Sequence, residues 1–152
     1  MSMVQESVEV DVPLHTAYNQ WTQFEEFPRF MEGVEEVTQI SDRHNHWRTK
    51  VGGVAREFDT EIVDQLPDER IAWRTIDGDV RQMGVVTFER MDQDHTRIRL
   101  AMDFEPEGVA EKAADMMGMV DRRVKGDLRR FKAYIEDKGL ESGSWRGRIS
   151  PS

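Results

Sequence analysis

The sequence predicts an α+β fold: a strongly curved, seven-stranded antiparallel sheet around a long C-terminal helix, with two short helices after the first strand. Three observations predict it. Apolar and polar residues alternate with period two in several short runs, most cleanly where Thr96, Ile98, Leu100, Met102 and Phe104 interleave with Arg97, Arg99, Ala101 and Asp103. After Pro106 the period changes, and Val109, Ala113, Met116, Met117, Val120, Val124, Leu128, Phe131 and Ile135 recur every three or four residues, as on one helix face. Between these regions the strands follow one another with turn residues at the spacing of a meander, which leaves one apolar sheet face that only the last helix is long enough to cover.

The elements follow in order. Val4, Val8, Val10 and Val12 alternate with Gln5, Ser7, Glu9 and Asp11, predicting a half-buried strand that Pro13 ends. Leu14, Ala17, Tyr18 and Trp21 then share one face of a short helix, and Phe24, Phe27, Phe30 and Met31 a second helical piece interrupted by Pro28. Strands are expected over Val34 to Ile40 and His46 to Val51, with the polar turn 41–45 between them and Gly52-Gly53 as the next hairpin. Arg56 to Leu66 and Arg70 to Ile76 are the next strands, separated by Pro67-Asp68. Asp77-Gly78 is expected to turn the chain into a strand from Met83 to Met91, and Asp92-Gln93-Asp94 into the last strand. The helix is expected from about Gly108 to Lys138, on the order of 45 Å long, with Gly139 closing it. The tail 141–152, rich in Ser, Gly and Arg, is expected to be flexible, leaving one domain over 1–140.

Composition narrows the function. The chain has 152 residues, 30 acidic against 21 basic, and a formal charge of −9, a field that repels nucleic acid. The basic residues Arg122, Arg123, Lys125, Arg129, Arg130 and Lys132 fall on the outer helix face among Asp121, Asp127 and Glu136, so no nucleic-acid partner is expected. No apolar run approaches the roughly 20 residues of a membrane span, and the N-terminus lacks the pattern of a secretory signal. With no cysteine, disulfides and thiolate chemistry are absent and a cytoplasmic setting is the simplest expectation. His15, His44, His46 and His95 are scattered without ligand spacing, and no glycine-rich phosphate loop leads from strand to helix, so neither metal nor cofactor is expected. Oligomeric state is not encoded legibly.

Local sequence adds a resemblance. Trp21 with Phe24-Glu25-Glu26-Phe27-Pro28-Arg29-Phe30-Met31, then Arg70-Ile71-Ala72-Trp73-Arg74, Gly84-Val85-Val86-Thr87-Phe88 and 127–136 near the helix end carry it. Over about residues 3 to 138 the chain resembles the helix-grip superfamily of START-like and polyketide cyclase/dehydrase proteins (SRPBCC), in particular a bacterial cyclase/dehydrase-type branch related to coenzyme Q-binding proteins. The resemblance implies a ligand cavity between sheet and helix, on a scaffold that carries binders, transfer proteins and enzymes alike.

The residues themselves support a cavity. Met83, Met102, Met116, Met117 and Met119 concentrate where sheet should meet helix, and thioethers adapt to irregular apolar shapes. Gly118 and Gly126 inside the helix would make room or permit a bend. If Phe58, Thr60 and Ile62 face in, then Glu57, Asp59 and Glu61 face water; by the same parity Trp47, Thr49 and Val51 face in, and Trp73 leaves Arg74 outside. The expected ligand-binding residues are Tyr18, Phe27, Phe30, Trp47, Phe58, Thr60, Trp73, Val86, Phe88, Leu100, Met102, Ala113, Met116, Met117 and Val120. Polar points would be Thr49, Thr60 and Thr75, with Glu6 or Tyr18, and Glu6 is the best candidate for an acid or base. A carrier or sensor of a lipid, isoprenoid, quinone or polyketide-like aromatic is therefore expected. A cyclase or dehydratase in the same cavity is the alternative, and a docking module using the helix or the Phe24–Met31 segment is the third reading.

Overall fold

The structure, a computed structural model, describes residues 2–51, 53–104 and 113–151, with side chains from 3 onward and, in the last helix, from 118 onward. Seven strands form one antiparallel sheet in the spatial order β1-β7-β6-β5-β4-β3-β2. They are β1 Ser2–Val10, β2 Val34–Gln39, β3 His44–Val51, β4 Val54–Leu66, β5 Arg70–Gly78, β6 Gln82–Asp92 and β7 His95–Phe104. Between β1 and β2 lie helix α1, Leu14–Trp21, and a 3₁₀ segment, Phe24–Arg29. Helix α2, Ala113–Lys138, follows β7 and is closed by Gly139 at φ 70°. The expected helix residues from Gly108 to Lys112 lie outside the described residues.

The alternation read from sequence sets the sheet's faces. Pairs Trp47↔Phe58, Ile62↔Trp73, Ile71↔Val86, Val86↔Leu100 and Leu100↔Glu6 carry one inward row across six strands. Two β-bulges modify it. In β4, the shift between Ile62 and Asp64 turns Gln65 inward opposite Ile71, so a polar residue is 2% exposed beneath the sheet. Opposite Asp59 and Thr60, Ile76 is bulged and β5 continues through Gly78, which corrects the expected Asp77-Gly78 turn; the chain reverses over 79–81 instead. Gly78 adopts φ 111° and passes so close to Phe58, its partner on β4, that a Cβ would overlap its backbone, so the glycine serves a close approach of two strands and not a hairpin.

One end of the sheet–helix interior is solid. Trp21 packs edge-on against Phe131 with centroids 4.8 Å apart, and Phe30 lies 5.1 Å from the same ring. Tyr18, Val10, Ile98 and Ile135 complete this core at 0% exposure.

The tail is docked, contrary to its loose composition. It covers the polar face of α1: the Ser142 amide donates to Gln20 Oε1 at 2.9 Å, the Trp145 amide to Thr22 Oγ1 at 3.1 Å, and Arg146 to Asn19 Oδ1 at 2.6 Å. Ile149 exchanges backbone hydrogen bonds with Gln65 and is 3% exposed. Buried polar side chains on α1 are thereby satisfied, which is the physical reason a Ser- and Gly-rich segment holds one place.

Candidate functional site

Between α2 and strands β3, β4, β5 and β7 the interior opens into a cavity of about 590 Å³. Its walls are mainly apolar, with Trp47, Phe58 and Trp73 from the sheet facing Val120, Val124 and Leu128 from the helix. Volume and lining fall in the range of small-molecule sites. The Trp47 and Phe58 rings lie nearly parallel, 5.8 Å between centroids and 5° between planes, across the β3–β4 register. Trp73 can lie flat along the sheet because its neighbour on β6 is Gly84: a Cβ there would stand 2.6 Å from the indole and 2.8 Å from the Ala101 carbonyl oxygen. A glycine in a strand interior here marks close approach by a ring.

Of the expected binding residues, Phe27, Trp47, Phe58, Thr60, Trp73, Leu100, Met102 and Val120 line the cavity. Tyr18, Phe30, Val86 and Phe88 do not; they belong to the packed core, where Tyr18 meets Phe88 edge-on at 5.3 Å and its hydroxyl accepts from Gln65 Nε2 at 2.9 Å. Ala113, Met116 and Met117 have side chains outside the described residues. Met102 borders the cavity, but Met83 faces away from it and is 48% exposed, because inward parity on β6 belongs to Gly84, Val86 and Phe88. Gly126 makes room for the Arg130 guanidinium, 3.0 Å from where a Cβ would sit, and not for the cavity. Phe27 and Phe30 are buried, so the Phe24–Met31 segment is a wall of the interior.

Polar groups converge on this lining that the sequence reading placed elsewhere. Asn45 lies on β3, opposite Thr60, and not in the turn before it. Arg56 shares inward parity with Phe58 and Thr60 and lines the cavity; extending that parity two residues back would have found it. Arg123 and Asp127 border the cavity although both were expected on the outer helix face. Their positions, one before Val124 and one before Leu128, put them on the flank of the inward stripe. Asp127 accepts from Arg130 Nη2 at 2.5 Å and from the Glu32 amide at 3.1 Å, while burial pushes its carboxyl above the usual aspartate range against the pull of those donors.

Glu6 faces inward but away from the cavity. Its carboxyl meets Asp121 and stands 3.9 Å from Lys125, and the hydrogen bond with Asp121, aided by burial, raises its pKa. Thr75 accepts from the Gln82 amide at 3.1 Å and borders a separate shallow groove on the sheet. His46, on the outer face, is held between Asp59 at 2.6 Å and Glu57 at 2.9 Å. Among the described residues, no cluster of three or more His, Asp or Glu is placed to hold a metal ion. No helix there is long and apolar enough to cross a membrane.

Residues 10–133 match the model of the family described as polyketide cyclase / dehydrase and lipid transport. The chain belongs to that family. An uncharacterized 17.2 kDa protein of Streptomyces lincolnensis is 58% identical over 149 residues, which cover 98% of this chain and 99% of that one. Among solved structures, the ZhuI aromatase/cyclase of Streptomyces sp. R1128 aligns over 94% of this chain and 98% of its own at TM-score 0.74 and 16% identity. A START superfamily protein of Mycobacterium smegmatis aligns over 91% and 97% at TM-score 0.70 and 15% identity. At those identities the likeness is one of fold, and the fold is the helix-grip of START-like proteins.

Proposed function

We propose that the protein binds a hydrophobic small molecule, such as a lipid, an isoprenoid or quinone, or a polyketide-like aromatic, in the cavity between α2 and the sheet, as a carrier or sensor. The observation that carries this reading is the 590 Å³ space walled by Trp47, Phe58, Trp73, Leu100 and Val120. A concave apolar space of that size falls in the range of small-molecule sites, which bury most of a ligand's surface. Its occupation by a matching ligand removes apolar area from water on both sides. The ligand-contacting residues on this reading are Phe27, Trp47, Phe58, Thr60, Trp73, Leu100, Met102 and Val120.

A second reading, a cyclase or dehydratase acting in the same cavity, is favoured by Arg56, Arg123 and Asp127 in its lining, since proton transfer needs an ionisable group within reach of substrate. Asp127 is already engaged by Arg130 and the Glu32 amide, which suits a positioning role better than proton transfer. The carrier reading is therefore preferred.

Native mass spectrometry of the protein as purified, followed by extraction of bound material, tests the reading. A stoichiometric hydrophobic adduct, recovered chemically unchanged after prolonged incubation, is the expected result. Recovery of a dehydrated or cyclised product would transfer the assignment to the enzyme reading. A protein that is empty and also ignores a panel of hydrophobic probes would refute both.

A further inference from the structure

We propose that Asn45 and Thr60 form a polar subsite within the cavity that takes a hydroxyl group, so that the ligand is a hydrophobe bearing an alcohol or phenol at its buried end. This rests on the reading of the cavity as a ligand site. Asn45 is 2% exposed, yet its carboxamide forms no hydrogen bond with any described residue, and its Oδ1 is fully enclosed without a donor. Buried carboxamides are ordinarily paired, because an unpaired one has lost its water and gained nothing. The exception here borders the cavity.

Thr60 supplies the complement. It is the cross-strand partner of Asn45, 1% exposed, and lines the same cavity. Its Oγ1 accepts from Trp47 Nε1 at 2.8 Å, which fixes the oxygen and leaves the hydroxyl hydrogen for another acceptor. One strand thus presents an acceptor and its neighbour a donor, side by side on the inward face. A ligand hydroxyl donates to Asn45 and accepts from Thr60 at once, whereas a ketone or ether oxygen satisfies only Thr60. Turning the carboxamide over makes both groups donors, which a ketone oxygen satisfies as well; a hydroxyl is the group that answers both orientations. The stacked Trp47 and Phe58 rings beside the pair suit a flat, ring-bearing end.

The subsite is separable from general hydrophobic binding with a matched pair of probes, 2-naphthol and 2-methylnaphthalene, which differ by a hydroxyl against a methyl. Affinities are measured by equilibrium dialysis for the wild type, Asn45→Leu and Thr60→Val. The ratio of naphthol to methylnaphthalene affinity should fall about tenfold in Asn45→Leu. Thr60→Val should shift the ratio the same way, and covers the case in which one variant fails to fold. A ratio unchanged within twofold in the folded variants overturns the subsite while leaving the cavity reading intact. Failure of the wild type to bind either probe overturns the cavity reading, and the subsite with it.

Discussion

The groove under α2 has two ends that are built differently. At one, Phe131 is clasped by Trp21 and Phe30 at 4.8 and 5.1 Å, and Ile135 and Ile98 leave no exposed surface. At the other, Val120 and Val124 look across about 590 Å³ at Trp47, Phe58 and Trp73. The difference lies in what fills the space between helix and sheet. Helix α1 and the residue after the 3₁₀ segment pack Tyr18, Trp21 and Phe30 into one end, while Phe24 and Phe27 reach only the border of the other. One end fixes the helix on the sheet; the other is left for a ligand.

That contrast is open to attack by mutation. Phe131→Ala, at the solid end, should cost about 3–5 kcal/mol in urea unfolding, since a rigid aromatic surround cannot collapse into the gap. A loss near 1 kcal/mol would mean that this end is no tighter than the other. Gly84→Ala should cost roughly 1–3 kcal/mol by driving a methyl into the Trp73 indole and the Ala101 carbonyl. Combined with Trp73→Ala, part of that cost should disappear, and strict additivity in the double-mutant cycle would show that the glycine does not serve the ring. Trp73→Ala alone should cost only about 1–2 kcal/mol, because the ring already faces empty volume. It should also weaken binding of 2-methylnaphthalene roughly tenfold; full affinity would remove Trp73 from the site.

The smallest effect is expected on the outer face. Hydrogen bonds that the His46 ring donates to Glu57 first and to Asp59 next hold its pKa above the usual 6.5. A raised histidine adds stability that is fully present below the ordinary value and is lost as pH rises through the folded-state value. Wild type should therefore exceed His46→Gln in stability at pH 5.5 and converge with it by about pH 9, with probe binding the same in both. A stability gap independent of pH would contradict the ion-pair account.

The same contrast separates what the sequence discloses from what it hides. Apolar periodicity sufficed for the strands, the inward row Phe58, Thr60 and Ile62, and the described α2 positions Val124, Leu128, Phe131 and Ile135, because a buried face leaves a period in the residues that make it. It erred where geometry breaks the period. The bulge after Ile62 turns Gln65 inward, and Gly78 serves a close approach to Phe58 where a hairpin was expected. Asn45 was hidden by its polarity: in a stretch of His, Asn and Asp it reads as turn, and only the pairing with Thr60 places it inside. The tail's docking rests on pairings with Asn19, Gln20 and Gln65, more than 80 residues away in sequence for each, which no local pattern carries. A clue was nonetheless present, since the polar face of α1 carries Asn19 and Gln20 and the helix bears no Asp, Glu, Lys or Arg.

Methyl NMR of the wild-type protein, titrated with 2-methylnaphthalene, tests the central claim most directly by watching both ends at once. The account predicts saturable shifts at Ile62, Leu100, Met102, Val120 and Val124, with Val10, Ile98 and Ile135 unmoved. Shifts centred on Ile98 and Ile135, or none at any methyl up to the solubility of the probe, would contradict it.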